Sequence, residues 1–257
     1  MGHMDLGLQD RVYVVTGASR GLGLATATAL VEEGARVLMC GRDEERLQSA
    51  VASLGGGDHV LGHPGDLGDP GLSTRLAAAA VGRWGQLDGV LISVGGPPPG
   101  GSLTVDDEAW RNAFDTVFLG AVRMCRAAAS AFGDTGGSIA LVLSSSVRQP
   151  VPGLAASNGL RPGLAGLAKT MADELGPRGI RVNGLLPGRI DTDRVRELDG
   201  AGAKGRKAKA ASEALIPLGR YGEPAEFGRV AAFVLSPAAS YLTGAMVPVD
   251  GGMIRAI

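Results

Sequence analysis

The sequence has few aromatic side chains and few side chains of the kinds that bind metals. Aromatic residues are 4% of the chain, so a folded core must be built mainly from aliphatic side chains. The three histidines and two cysteines show no metal-ligand spacing, and Cys40 and Cys125 lie in apolar stretches. We therefore predict no metal site and no disulfide, but two buried thiols in a reducing cytoplasm.

Charge and hydropathy exclude several further classes of partner. A net charge of −1 gives no electrostatic case for binding nucleic acid or an anionic membrane. No apolar run approaches the ~18 residues that indicate a membrane span. The first residues, Met1-Gly2-His3 before Met4, resemble a remnant of recombinant expression and lack the apolar centre of a signal peptide.

Glycine and apolar residues are abundant, and their patterns alternate regularly. The 42 glycines and 45% apolar residues suit tight turns around one well-buried α/β core, residues 5–257. Short apolar runs predict strands at Arg11–Thr16, Ala35–Cys40, His59–Leu61, Gly89–Ser93, Ser138–Leu143, Ile180–Leu185 and Met246–Val249. Helices are predicted near residues 22–33, 43–54, 71–83, 105–131, 159–176 and 224–235. Continuously apolar strands are typical of a doubly wound parallel sheet, here of about seven strands with helices on both faces.

A glycine-rich turn follows the first predicted strand directly. It reads Thr16-Gly17-Ala18-Ser19-Arg20-Gly21-Leu22-Gly23 and leads into the first helix. Glycines let the backbone pass close to a pyrophosphate, and the amides and dipole of a helix N-terminus hold that group. The turn therefore predicts a dinucleotide-binding Rossmann domain, with contacts from Gly17, Ser19, Arg20, Gly21, Leu22 and Gly23.

The spacing of these glycines resembles that of the short-chain dehydrogenase/reductase family, and the resemblance covers nearly the whole chain. Asp66-Leu67 matches the adenine-contacting position, and Pro187-Gly188 and Val249-Asp250-Gly251-Gly252 match later family turns. By this resemblance, Ile190 and Thr192 contact the nicotinamide amide, and the turn Pro187-Gly188 also belongs to the cofactor site. It also implies a small-molecule substrate and a homo-oligomer, a dimer or a tetramer, paired through long helices.

One family loop departs from the usual pattern. Ser93-Val94-Gly95-Gly96 stands where the family usually has Asn-Asn-Ala-Gly. We expect Ser93 and Gly95 to lie beside the adenosine ribose, but without the asparagine contacts.

The end of the second strand predicts the choice of cofactor. Sites for NAD place an acidic residue there to hold the ribose 2′-hydroxyl, whereas this chain has Gly41 followed by Arg42. Arg20 in the glycine turn offers a second guanidinium, and guanidinium groups match phosphate oxygens. NADP(H) is therefore the expected cofactor.

The resemblance fails at three of the four catalytic positions. Aligned on Pro152-Gly153-Leu154-Ala155-Ala156, the family's catalytic tyrosine falls on Ser157 and its lysine on Arg161. The family's asparagine falls on Val117, whereas Ser144 retains the catalytic serine. Arg161 is able to hold the ribose or an oxyanion, but it is not an acid at neutral pH.

Three interpretations stay open for the reaction. In the first, Ser144, Ser157 and Arg161 polarise a carbonyl and water supplies the proton. In the second, the substrate needs no strong acid or brings its own acidic group. In the third, the protein binds the cofactor without turnover, as a sensor or a partner subunit.

Further expectations concern the surroundings of this site. Asp191 and Asp193 are helix caps or reserve acids, and Arg148 is a solvated loop cation or a group that binds an acidic substrate. The polar segment Asp193–Ala214 predicts a mobile lid near residues 192–215. Because proline disrupts a helix interior, Pro162 predicts that its helix begins at or after Asn158, or is kinked beside Pro162.

Overall fold

Within residues 5–256, which the computed structural model describes, parallel strands form one sheet in the order β3-β2-β1-β4-β5-β6-β7. The strands are β1 (Val12–Val15), β2 (Arg36–Gly41), β3 (Val60–Pro64), β4 (Gly89–Ile92), β5 (Gly137–Val142), β6 (Ile180–Pro187) and β7 (Met246–Val249). Every neighbouring pair is parallel, which confirms the predicted doubly wound sheet. The predicted expression remnant Met1–Met4 lies outside the described residues.

Helices cover both faces of the sheet. They are α1 (Gly21–Glu32), α2 (Glu44–Ser53), α3 (Leu72–Trp84), α4 (Asp107–Ala113), α5 (Gly120–Ala131), α6 (Ala155–Leu175), α7 (Asp193–Asp199), α8 (Gly202–Glu213) and α9 (Pro224–Leu235). One buried cluster joins the sheet to α3, α5 and α6, and a second joins it to α1, α2 and α9. No described helix has both the length and the hydropathy needed to cross a membrane.

The strand order places a crevice at one edge of the sheet. The chain runs outward from β1 to β3 and then returns to β4 on the other side of β1. At such a switch point the loops that follow the two central strands diverge, which leaves room for a ligand at their carboxyl ends. The glycine-rich turn follows β1, and Ser93 follows β4, so both lie at this point.

Two predicted elements differ in detail from the structure. The helix predicted over residues 105–131 is divided into α4 and α5 by the π-helical turn Phe114–Leu119. The segment Asp193–Ala214, for which no helix was predicted, forms the two helices α7 and α8, in which alanine and lysine favour helix despite the glycines. Its role as a lid stays a prediction.

The prediction that the Pro162 helix begins at or after Asn158 is wrong. Helix α6 begins at Ala155, whose N–H donates to the carbonyl of Gly100 (3.1 Å), and Pro162 lies in its interior. Asn158 does not cap the helix, because its side chain binds both the N–H and the carbonyl of Val151 at 2.9 Å. The contact with Gly100 therefore starts the helix at Ala155, three residues before Asn158.

Candidate active site

The carboxyl ends of the strands open into a cleft of about 1190 Å³. Its walls come from the loops after β1, β2, β4, β5 and β6, together with residues of α6 and α7. The predicted site residues that line it are Gly17, Ser19, Arg20, Gly21, Leu22, Arg42, Asp66, Leu67, Ser93, Gly95, Ser144, Ser157, Arg161, Pro187, Gly188, Ile190 and Thr192. Gly23 is the one predicted cofactor-binding residue that does not line the cleft. The fold therefore brings the other predicted positions together around one cleft.

The glycine-rich turn is held by contacts that exclude side chains. Gly17 has φ +59°, and a Cβ atom there would lie 2.5 Å from the carbonyl oxygen of Ser93. A Cβ atom on Gly23 would lie 2.3 Å from the carbonyl oxygen of Gly17. Arg20 precedes α1 and provides no side-chain cap, so the amides of the first helical turn face the cleft without a side-chain acceptor. This arrangement suits an anionic group such as a pyrophosphate.

A threonine joins the ends of β1 and β4 beside this turn. The Thr16 hydroxyl donates to the Ser93 carbonyl and accepts from the Ser93 N–H, both at 2.9 Å. The loop after β4 is thereby fixed against the glycine turn, although the family's asparagines are replaced. After β3, Asp66 accepts the N–H of Gly68 (2.8 Å) and Leu67 is buried.

The end of β2 is closely packed against the glycine-rich turn. A Cβ atom on Gly41 would lie 3.2 Å from both Cβ and Oγ of Ser19. The neighbouring Arg42 is largely exposed, and its nearest carboxylate is Asp66 at 3.7 Å. Arg20 turns instead toward α7, where Asp193 and Glu197 lie 3.5 and 3.6 Å from its guanidinium.

Three serines meet at the end of β5. Ser144 caps the short 3₁₀ turn Ser145–Val147, and its Oγ accepts the N–H of Ser146 at 3.1 Å. The hydroxyl of Ser157 is buried and lies 3.3 Å from the hydroxyl of Ser146. The buried position that a tyrosine would need is therefore occupied by a small hydroxyl engaged with a neighbouring serine.

Arg161 is a buried cation one turn further along α6. Its side chain is 6% exposed, and its guanidinium donates to the carbonyl of Val142 at 2.6 Å. Burial, together with the nearby charge of Arg194, lowers the pKa of Arg161 to about 10. It therefore stays charged at neutral pH.

Among the described residues, the cleft lining contains no tyrosine, histidine or lysine. Val117, in the π-helical turn, is an apolar core residue. Burial raises the pKa of Tyr13 in β1, and the Tyr221 hydroxyl donates to Asp199 at 2.9 Å, away from the cleft. Burial, with the charge of Asp66 adding to it, also raises the pKa of the Cys40 thiol to about 12. Among the described lining residues, no phenol, imidazole or ammonium group replaces the missing tyrosine.

The loop after β6 completes the cleft at the start of α7. The Gly188 N–H donates to the Val249 carbonyl (3.0 Å), which joins this loop to β7. Thr192 caps α7, so neither predicted aspartate does. Asp191 pairs with Arg196 (2.8 Å) and Lys209 (3.1 Å), whereas Asp193 lines the cleft.

Arg194 was missed by the sequence analysis. It extends from α7 across the cleft and donates to the carbonyl of Pro97 at 2.8 Å. Its neighbours in the sequence gave no signal, because the polar stretch was interpreted as a mobile lid without fixed side-chain contacts. Arg148, the arginine that the sequence did single out, is exposed and does not line the cleft.

The site can be compared with those of known proteins. Residues 17–254 match the family described as Enoyl-(Acyl carrier protein) reductase. An oxidoreductase of Mycobacterium tuberculosis is 34% identical over 257 residues, covering 98% of this chain and 94% of that relative. The L-rhamnose 1-dehydrogenase (NAD(P)(+)) of Azotobacter vinelandii is 34% identical over 255 residues, covering 96% and 97% of the two chains. L-Sorbose reductase from Gluconobacter frateurii, solved with NADPH and L-sorbose, has a TM-score of 0.90 and 27% identity, covering 99% and 100%. The chain therefore belongs to the short-chain dehydrogenase/reductase family of oxidoreductases.

Proposed function

We propose that this chain is an NADP(H)-dependent oxidoreductase that interconverts a carbonyl compound and its alcohol without a tyrosine–lysine proton relay. The observation that carries the choice of cofactor is the end of β2. Glycine stands at position 41, where an acid would hold a 2′-hydroxyl, and Ser19 packs closely against it. Arg42 is able to turn toward a phosphate because its pair with Asp66 is long and exposed. An acid there would repel a 2′-phosphate, whereas a guanidinium attracts it.

The rest of the cofactor site supports this proposal. The first amides of α1 face the cleft beside Gly17 and Gly21, where they would hold a pyrophosphate. Arg20 reaches carboxylates only at 3.5 and 3.6 Å, so a 2′-phosphate can compete for it. The L-sorbose reductase neighbour binds NADPH in a closely similar fold.

Three residues of this chain would act on the substrate. When bound, NADPH supplies the hydride, and the carbonyl oxygen gains negative charge as its carbon accepts that hydride. The Ser144 hydroxyl lies at the catalytic end of β5 and would donate a hydrogen bond to this oxygen. Arg161 would stabilise the developing charge and hold the ribose, because a guanidinium has donors in several directions. Ser157 contributes less, since its hydroxyl is already engaged with Ser146.

We infer that the proton comes from outside the protein's side chains, because each of the cleft carboxylates Asp66, Asp193 and Glu197 pairs with an arginine. The described lining of the cleft holds no tyrosine, histidine or lysine, and the Cys40 thiol has a pKa of about 12. Water, or an acidic group on the substrate itself, would therefore protonate the new alkoxide. Either source gives a balanced reduction in which the carbonyl gains one hydride and one proton.

A cofactor-binding protein without turnover is the second candidate. It is favoured by the same contact between Ser146 and Ser157, which leaves the position of the missing acid occupied and unreactive. Fluorescence titration with NADPH and NADH, followed by a screen of carbonyl compounds for NADPH oxidation, separates the two. Tight NADPH binding with turnover supports the oxidoreductase. Tight binding with no oxidation over a broad panel supports the binder, and equal affinity for both cofactors contradicts the assignment of NADP(H).

A further inference from the structure

Arg161 lacks a carboxylate partner within the described part of the chain. Its side chain is almost fully buried, yet its hydrogen bond there is to a neutral carbonyl, that of Val142. A buried charge is normally paired, because removal from water is costly when no opposite charge replaces the solvent. Since Arg161 lines the cleft, its remaining N–H donors are available to a ligand.

Arg194 brings a second positive charge to the same cleft. It is near enough to Arg161 to lower the pKa of that residue further. Its own carboxylate neighbour, Glu197, is 3.8 Å away and lies also 3.6 Å from Arg20. A Cβ atom on Gly96 would lie 3.1 Å from Nε of Arg194, so glycine at this position leaves space for the guanidinium to cross the cleft.

Five prolines supply an apolar part of the cleft wall. Three consecutive prolines, Pro97, Pro98 and Pro99, line the cleft on the loop after β4, and Pro150 and Pro152 line it on the loop after β5. Proline has a fixed φ and no N–H, so these walls offer shape and apolar surface but few hydrogen-bond donors. These prolines offer apolar surface for the body of a substrate. The carboxylates of Asp193 and Glu197 also line the cleft, but both lie beside Arg20, at 3.5 and 3.6 Å.

We propose that Arg161 and Arg194 bind a carboxylate of the substrate, which is a carbonyl acid with an apolar body. This inference rests on the proposed function and specifies its substrate class. A guanidinium fork matches the two oxygens of a carboxylate, and an anion between two like charges relieves their repulsion. The carboxylate is unchanged in the reaction: the carbonyl carbon gains the hydride of NADPH, and its oxygen gains a proton from water. Arg194 is the specificity residue, because Arg161 also serves the ribose.

Two aryl keto acids and their methyl esters provide the test. Phenylglyoxylate and 4-oxo-4-phenylbutyrate would be titrated calorimetrically into the protein saturated with NADP⁺, which has no hydride to give, beside their methyl esters. We expect at least one acid to bind about tenfold more tightly than its ester, as removal of a charge-assisted hydrogen bond implies. Arg194→Gln should remove this preference, and Arg194→Lys should retain part of it. The matched control is Arg148→Gln, an exposed arginine outside the cleft, which should keep the full preference.

The outcomes distinguish this inference from the function on which it rests. Equal binding of acids and esters, or binding of neither acid, overturns the carboxylate site while NADPH binding and turnover stay intact. Loss of the preference in Arg148→Gln as well as in Arg194→Gln also overturns it, because the effect would then come from general surface charge. Failure of the wild-type protein to bind NADPH contradicts the proposed function itself.

Discussion

The Oγ atom of Ser157 lies 3.3 Å from the Oγ atom of Ser146, two residues beyond the serine that retains the family's catalytic spacing. Ser157 is therefore satisfied by the protein before any ligand binds, whereas Ser144 presents its hydroxyl at the cleft. The two serines should differ in their effect on turnover.

Ser144→Ala should lower kcat by ~10–100-fold, because it removes a hydrogen bond to an oxygen that becomes charged. The NADPH dissociation constant should change by less than about twofold, since the hydroxyl acts on the substrate. Ser157→Ala is the matched variant and should have the smaller effect on kcat. Steady-state kinetics with cofactor titration check both, and full activity in the two alanine variants would show that these serines are not the catalytic residues.

Arg42→Ala should raise the dissociation constant of NADPH by ~10–100-fold and that of NADH by less than about twofold. The reason is that the guanidinium is assigned to the 2′-phosphate, which NADH lacks. Arg46→Ala, an exposed arginine on α2 that pairs with Asp43 at 3.8 Å, is the control and should leave both affinities unchanged. Fluorescence titration measures all four constants. An equal loss for both cofactors would place Arg42 elsewhere than at the phosphate.

Turnover should be nearly independent of pH between about 6 and 9. Burial lowers the pKa of Arg161 to about 10 and raises that of Cys40 to about 12, so Arg161 stays charged and Cys40 stays neutral below pH 9. The lowered arginine pKa favours the neutral form only when the pH rises through about 10, which lies above this window. A profile of kcat against pH with a slope of one near neutrality would reveal a titrating group in the reaction and contradict proton supply by water alone.

Gly23→Ala should destabilise the fold by ~1–3 kcal/mol, because the new methyl group would overlap the Gly17 carbonyl oxygen at 2.3 Å. It should also weaken the binding of NADPH, since the glycine-rich turn must shift to make room for the methyl group. Gly82→Ala is the control: its Cβ atom meets open space on the exposed side of α3, and alanine favours helix by up to ~1 kcal/mol. Urea unfolding with a common m-value compares the two variants, and equal shifts of the midpoint would contradict the proposed packing.

The cofactor half of the site was predictable because it depends on the backbone. Glycines at positions 17, 21 and 23 have conformational and packing requirements that few other residues meet, and the apolar runs that lead to them define the strands. For the catalytic half, the sequence predicted mainly which of the family's catalytic residues are replaced. The contact between Ser146 and Ser157 depends on a 3₁₀ turn, and the position of Arg194 depends on a helix that the small polar residues of its segment concealed.

The start of α6 shows a different limit of sequence reasoning. Asparagine is a good helix cap and proline a poor interior residue, so both local preferences favoured a later start. The contact between Ala155 and Gly100, far away in the sequence, outweighs them. The π-helical turn Phe114–Leu119 could not be predicted from the sequence either. A π-helical turn adds one residue to a helix, and this addition hardly changes the spacing of the apolar residues.

The side chain of Asn158 occupies both backbone groups of Val151, as a neighbouring strand would. Val151 lines the cleft, and Asn158 belongs to the same helix as Arg161, so two hydrogen bonds tie this wall to α6. A ligand too large for the wall must break two hydrogen bonds before it fits, which makes induced fit on this side unfavourable. Directed evolution toward larger substrates should therefore find its productive changes on α7, where Asp193 and Glu197 form exposed ion pairs with Arg20 that exchange easily.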